Sequence, residues 1–85
     1  MTPTIPHNRE AEEAAIGCVL IDPFALKTLA FLKPEDFYIV RNRWIWSAFL
    51  SLEEKRLEID LVTVCDEMER AGNLAEAGGP AYLTS

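Results

Sequence analysis

The sequence predicts an all-α protein, a small bundle of about four to five short helices. Three observations carry that prediction. Apolar residues recur at three- and four-residue intervals through most of the chain. Asn8, Asp22 followed by Pro23, and Asp60 each stand where a helix start needs a side-chain cap. No segment alternates apolar and polar residues with a period of two, and even "CVLI" continues a capped helix. The pattern gives four helices of moderate length plus one-turn pieces, with no internal repeat and no low-complexity tract.

Residues 1–7 read as an extended arm, because the prolines and threonines of "MTPTIP" cannot nucleate a helix. Asn8 then caps "REAEEAAIGCVLI". Glu10, Glu12 and Glu13 lie in its first turns, where the positive end of the helix dipole favours them. Ala11, Ala14, Ala15, Cys18 and Val19 form its apolar stripe, widened by Ile16 and Leu20. Gly17 costs about 1 kcal/mol relative to alanine inside a helix, so it is expected where another helix approaches closely. Asp22 caps the next helix, with Pro23 at the position where a missing N–H costs nothing. "PFALKTLAFL" then sets Phe24, Leu26, Leu29 and Leu32 along about two turns. Pro34 biases Lys33 away from helix, and "PEDF" suits a single turn that plants Phe37 in the core.

The heaviest apolar helix runs from about Arg41 to Lys55. Ile45, Ala48, Phe49 and Leu52 share one face; Trp46 and Leu50 extend it on one side, and Trp44 lies on the other. "RLEI" is a short extended link. Asp60 caps "LVTVCDEMERAG" with Leu61, Val64, Cys65 and Met68 inward, and Gly72 ends that helix in the left-handed conformation. "NLAEA" adds a turn. "GGPAYL" opens a further helix with Pro80 near its start, and Tyr82 and Leu83 should pack on the core.

At 85 residues the chain holds one domain, since a second core could not be built from the remainder. Half of it is apolar (49%), too rich for disorder. The formal charge of −6, from 14 acidic and 8 basic residues, repels phosphate backbones. The basic residues form no stripe, so direct DNA binding is disfavoured and a basic protein surface is the better electrostatic match. Cys18 and Cys65 lack metal-ligand spacing and read as small buried hydrophobes. With His7 as the single histidine, no His/Cys metal cluster can form. No apolar run approaches the ~20 residues of a membrane span, and the first residues do not show a charged region followed by an apolar core. The expected location is the cytoplasm.

Catalytic constellations are missing. There is no G-x-x-x-x-G-K-[ST] phosphate loop, and Gly78 and Gly79 are followed by Pro80. There is no G-x-S-x-G elbow. Carboxylate pairs such as Asp66 and Glu67, or Glu10 and Glu13, read as solvated helix faces rather than acid–base groups. No catalytic, cofactor-binding or metal-binding residue is assigned. Recognition is the chemistry that remains.

With the segments placed, three strings together resemble a known family. "PHNREAEEAAIGCVLIDP" is similar to the opening of bacterial replicative DNA helicases of the DnaB family. "LKPEDFY…RNRWIWSAFLSLEEKRLEIDLVTVCDEMERAG" resembles that family's next block, and "GGPAYL" its Gly-Gly-x-x-Tyr-Leu. The likeness runs from Pro6 to Leu83 in order and at the right separations. Trp44 and Trp46 are bulkier than the family's usual Leu and Phe or Tyr, and Cys65 replaces a more frequent Ala or Leu.

The resemblance implies a small orthogonal helical bundle, residues 8–85, equivalent to the family's amino-terminal domain without the helical hairpin that follows it. It also implies a motor domain elsewhere in the parent protein, which carries ATP, magnesium and unwinding; no ATPase activity is expected of this chain. The implied partners are other copies in a hexameric collar and the primase. The alternative is a standalone helical regulator that binds a replicative helicase or its partners, and it would break the hexamer at low concentration. Trp44 and Trp46 are about 200° apart on a helix, so they cannot share one face: either both lie in the core or at its margin, or one is core and the other a candidate interface anchor. Trp44 is expected to be the more exposed. Arg41 and Arg43 either bind acidic groups of a partner or solvate a helix start.

Overall fold

The computed structural model of the chain describes residues 9–84, so the expected arm over 1–7 and the Asn8 cap lie outside the described residues. Five helices and one 3-10 turn follow in order: α1 (Arg9–Ile21), α2 (Ala25–Thr28), the turn Pro34–Asp36, α3 (Val40–Glu54), α4 (Leu61–Ala71) and α5 (Pro80–Thr84). No strand occurs among the described residues.

Helix α3 is the centre of the bundle, packed against α1, α4 and the 3-10 turn, while α5 closes on α4. Its face Ile45, Ala48, Phe49 and Leu52 is buried as the spacing predicts. Trp46, on the same side, is 0% exposed and holds the core's centre. Its ring lies 5.0 Å from that of Phe37 and 5.5 Å, edge-on, from that of Phe49. Burying an indole leaves an N–H to satisfy, and Trp46 Nε1 donates to the Leu32 carbonyl at 3.0 Å. The "PEDF" turn delivers Phe37 to that cluster, as its sequence requires.

The helix ends follow local chemistry. Asp60 Oδ1 accepts from the Thr63 amide, and Thr63 Oγ1 accepts from the Asp60 amide, both at 2.9 Å, which starts α4 with a reciprocal cap. Gly72 (φ 83°) ends α4, and the Asn73 amide reaches back to the Met68 carbonyl at 3.0 Å. Helix α3 ends the same way through Leu57 N to Leu52 O at 2.9 Å, but there the left-handed position is Arg56 (φ 60°).

Three expectations need correction. The second helix is one turn, not two: Asp22 Oδ1 accepts from Phe24 N at 3.1 Å, and tight i-to-i+3 bonds carry the chain to Lys27. Leu26, Leu29 and Leu32, three apart, turn inward, while Phe24, two positions before Leu26 and so about 200° around the helix, stays 73% exposed. Helix α1 is also rotated from its expected face. Glu12, Ile16 and Val19 are buried, whereas Ala11, Ala14 and Cys18 face out. Cys18 is therefore exposed, and Cys65, on α4, is only half-buried, so neither is the buried small hydrophobe the sequence suggests. No helix among the described residues packs closely on Gly17, since nothing lies within 4 Å of where its Cβ would sit.

Candidate interaction surface

Glu12, on α1, is 0% exposed. Ile39, the residue that should cap α3, has no side-chain oxygen to offer its first amides. Glu12 supplies the oxygens from outside the helix. Its Oε2 accepts from Tyr38 N at 2.8 Å, and its Oε1 from Ile39 N at 3.3 Å and from Asn42 Nδ2 at 2.9 Å. Asn42 Oδ1 accepts in turn from the Tyr82 hydroxyl at 2.7 Å. One polar path thus ties α1, α3 and α5.

"GGPAYL" is what brings Tyr82 there. Gly78 (φ 103°) and Gly79 (φ 68°) turn the chain through conformations that residues with a side chain rarely adopt. The turn is also tight, because a Cβ on Gly78 would meet Tyr82 Cβ at 3.2 Å. Tyr82 and Leu83 pack against the core as expected.

The three candidate contact residues lie close in sequence, yet the structure does not bring them together. Arg43 donates from Nε to the Phe37 carbonyl and from Nη2 to the Tyr38 carbonyl at 3.4 Å. It pins the loop before α3 rather than solvating the helix start. Arg41 turns towards α5, with its guanidinium carbon 4.1 Å from the centre of the Tyr82 ring. Trp44 is half-buried at the edge of the core, more exposed than Trp46 as its helix position predicts. It borders a groove of about 160 Å³ between α3 and α4, floored by Ala48 and Met68.

At that groove's side sits a second carboxylate that the sequence reading left on a solvated face. Glu67 is 9% exposed and accepts from Ser51 Oγ at 2.5 Å, Lys55 Nζ at 2.9 Å and Arg70 Nη1 at 3.4 Å. The Ser51 hydrogen bond first, and the Lys55 ammonium second, hold its carboxyl below the usual glutamate range. Every lone pair of Glu67 is engaged, so it is a brace between α3 and α4 and not a proton acceptor for a substrate. Asp66 alone keeps the solvated place, with Arg70 Nη2 at 2.6 Å. Burial pushes the Cys65 thiol up, which leaves it a poor nucleophile. Among the described residues no group of His, Cys, Asp or Glu could hold a metal ion, and no helix is long and apolar enough to cross a membrane.

The same helical fold is met among known proteins. The family model for the DnaB-like helicase N terminal domain matches residues 4–85. The chain is 43% identical over 81 residues to the replicative DNA helicase DnaC of Bacillus subtilis, covering 93% of this chain and 18% of that protein. It is 40% identical over 80 residues to the replicative DNA helicase DnaB of Geobacillus stearothermophilus, again covering 93% of this chain and 18% of the relative. Among solved structures, the crystal structure of the N-terminal domain of DnaB helicase from Mycobacterium tuberculosis superposes with a TM-score of 0.87 at 34% identity. That superposition covers 93% of this chain and 58% of the other.

Proposed function

Since this chain belongs to the DnaB-like helicase N-terminal domain family, we propose that it is the interaction module of a replicative DNA helicase. It joins other copies in a hexameric collar and docks the primase, in the cytoplasm, while ATP hydrolysis and unwinding reside in a separate motor domain. The observation that carries the reading is the match of 82 consecutive residues, 4 to 85, to the amino-terminal domain of that family. The sequence adds that no phosphate-binding loop occurs in it. The buried carboxylates support the reading as well, because Glu12 accepts three hydrogen bonds and Glu67 four, and both are spent on holding helices together. What stays open on the surface is suited to contact: half-buried Trp44, and Ile21 and Phe24 projecting at the α1–α2 corner.

The test is deletion of this domain from the helicase that carries it, read by sedimentation and by ATPase assay. Loss of primase co-sedimentation and a weakened hexamer, with hydrolysis retained, is the expected result. Primase binding and hexamer stability both undiminished would overturn the proposal.

A further inference from the structure

Arg41 occupies a place that a structural arginine has reason to avoid. It lies in the first turn of α3, where the positive end of the helix dipole disfavours a cation, and that turn holds no acidic residue of its own. Glu12, which caps the helix, is taken up by three donors. No ion pair within 4.0 Å involves Arg41 among the described residues. Arg9, Lys27, Lys33 and Arg56 are also unpaired there, but they are exposed and hydrated. Arg41 is half-buried, and its Nε is shut off from water without an acceptor. The head is held by its stack on Tyr82 instead. Neither terminal nitrogen has a hydrogen-bond partner among the described residues.

A guanidinium fixed on an aromatic face, its terminal nitrogens unbonded among the described residues, is preorganised for a planar oxyanion, which it grips with two parallel bonds. We propose that Arg41, stacked on Tyr82, receives the carboxylate of an acidic side chain on a protein partner. This rests on the interaction-module reading and names what the partner brings. Arg43 is the weaker candidate for the role, since its Nε and Nη2 already donate to the Phe37 and Tyr38 carbonyls. A nucleic acid is disfavoured as the source of the anion, because it sets a run of phosphates against a chain of net charge −6. One carboxylate meets mainly the local field, which salt confines to about 8 Å.

The experiment follows the arginine Nε–H resonances of the isotope-labelled chain by NMR. The probes are the tripeptide Ac-Ala-Glu-Ala-NH2, its Gln isostere, and inorganic phosphate. The Arg41 signal should move saturably with the Glu peptide and not with the Gln peptide. The apparent affinity should fall about threefold or more between roughly 20 and roughly 200 mM salt. The Arg43 signal should stay in place. R41Q should abolish the response and R41K should lose most of it, with the helical circular dichroism of both unchanged. An unmoved Arg41 signal, or equal movement with both peptides, overturns the assignment. Movement with phosphate alone overturns the carboxylate class. Primase docking retained in full by R41Q would sink Arg41 as a contact and leave the domain's function standing; docking absent from the unaltered domain would sink the function, and the peptide titration would still decide Arg41.

Discussion

Glu12→Ala removes one acceptor from three donors at once, and the structure sets the scale of the loss. The Asn42 bond is buried, and the Tyr38 and Ile39 amides are part-buried. A buried donor left unsatisfied costs about 1–3 kcal/mol, and donors that water can partly reach cost less. The three together give a destabilisation of about 3–4 kcal/mol. That exceeds the ~1 kcal/mol typical of deleting an exposed N-cap. It is also a large share of the roughly 4–13 kcal/mol that a chain of this length possesses. Glu12→Gln keeps one carbonyl oxygen but turns an N–H₂ towards a donor, so about 2 kcal/mol is expected. Urea denaturation followed by the fluorescence of the buried Trp46 measures both. At about 4–8 °C per kcal/mol, the alanine variant should melt on the order of 12–30 °C lower. An alanine variant within about 0.5 kcal/mol of the parent, or a glutamine variant as unstable as alanine, would refute Glu12 as the cap of α3.

Arg56→Gly should stabilise the chain by about 0.5–1 kcal/mol, because it relieves a left-handed side chain at the end of α3; thermal melting gives the sign directly. Gly78→Ala combines a φ of 103° with a 3.2 Å approach to Tyr82 Cβ, so it should free α5 and raise hydrogen exchange at Tyr82 and Leu83 while α3 stays protected. For the Glu67 brace the folded-state pKa lies below the unfolded one. Its contribution is complete above the ordinary glutamate range and is lost as pH falls through that lowered value. The stability gap between the parent and Glu67→Gln should therefore close in acid, and a gap independent of pH would exclude the ionised brace. A thiol reagent applied to the native chain should modify exposed Cys18 first and Cys65 slowly, with the two rates converging on unfolding.

The parts of the fold written in the sequence are those governed by neighbours along the chain. The inward face of α3, the Asp60 and Gly72 limits of α4 and the turn that plants Phe37 all depend on residues a few positions apart, and all were legible. What escaped depends on distant partners. Glu12 resembles any solvated glutamate until a loop 26 residues away presents its amides. Once that carboxylate turns inward, α1 must rotate with it, which puts Ala11, Ala14 and Cys18 outside. Glu67 escaped for the same reason, since Ser51 and Lys55 stand on another helix. Phe24 was misplaced although its spacing was legible, since it stands two positions before Leu26 and so about 200° from the side that Leu26, Leu29 and Leu32 share. At the surface, Trp44 followed from its angle to Trp46, whereas the different fates of Arg41 and Arg43 could not be read from two similar residues two positions apart.

The polar path from Tyr82 through Asn42 to Glu12 gives the bundle a mechanical property. A pull applied at the carboxyl end of α5 would load the packing of Leu83 and the Tyr82 hydroxyl bond to Asn42. Through Asn42 it would reach the carboxylate that holds the opening turn of α3. Tension along the backbone is thereby spread over three helices instead of peeling off the last one. A five-residue helix too short to stand alone becomes a grip on the whole domain.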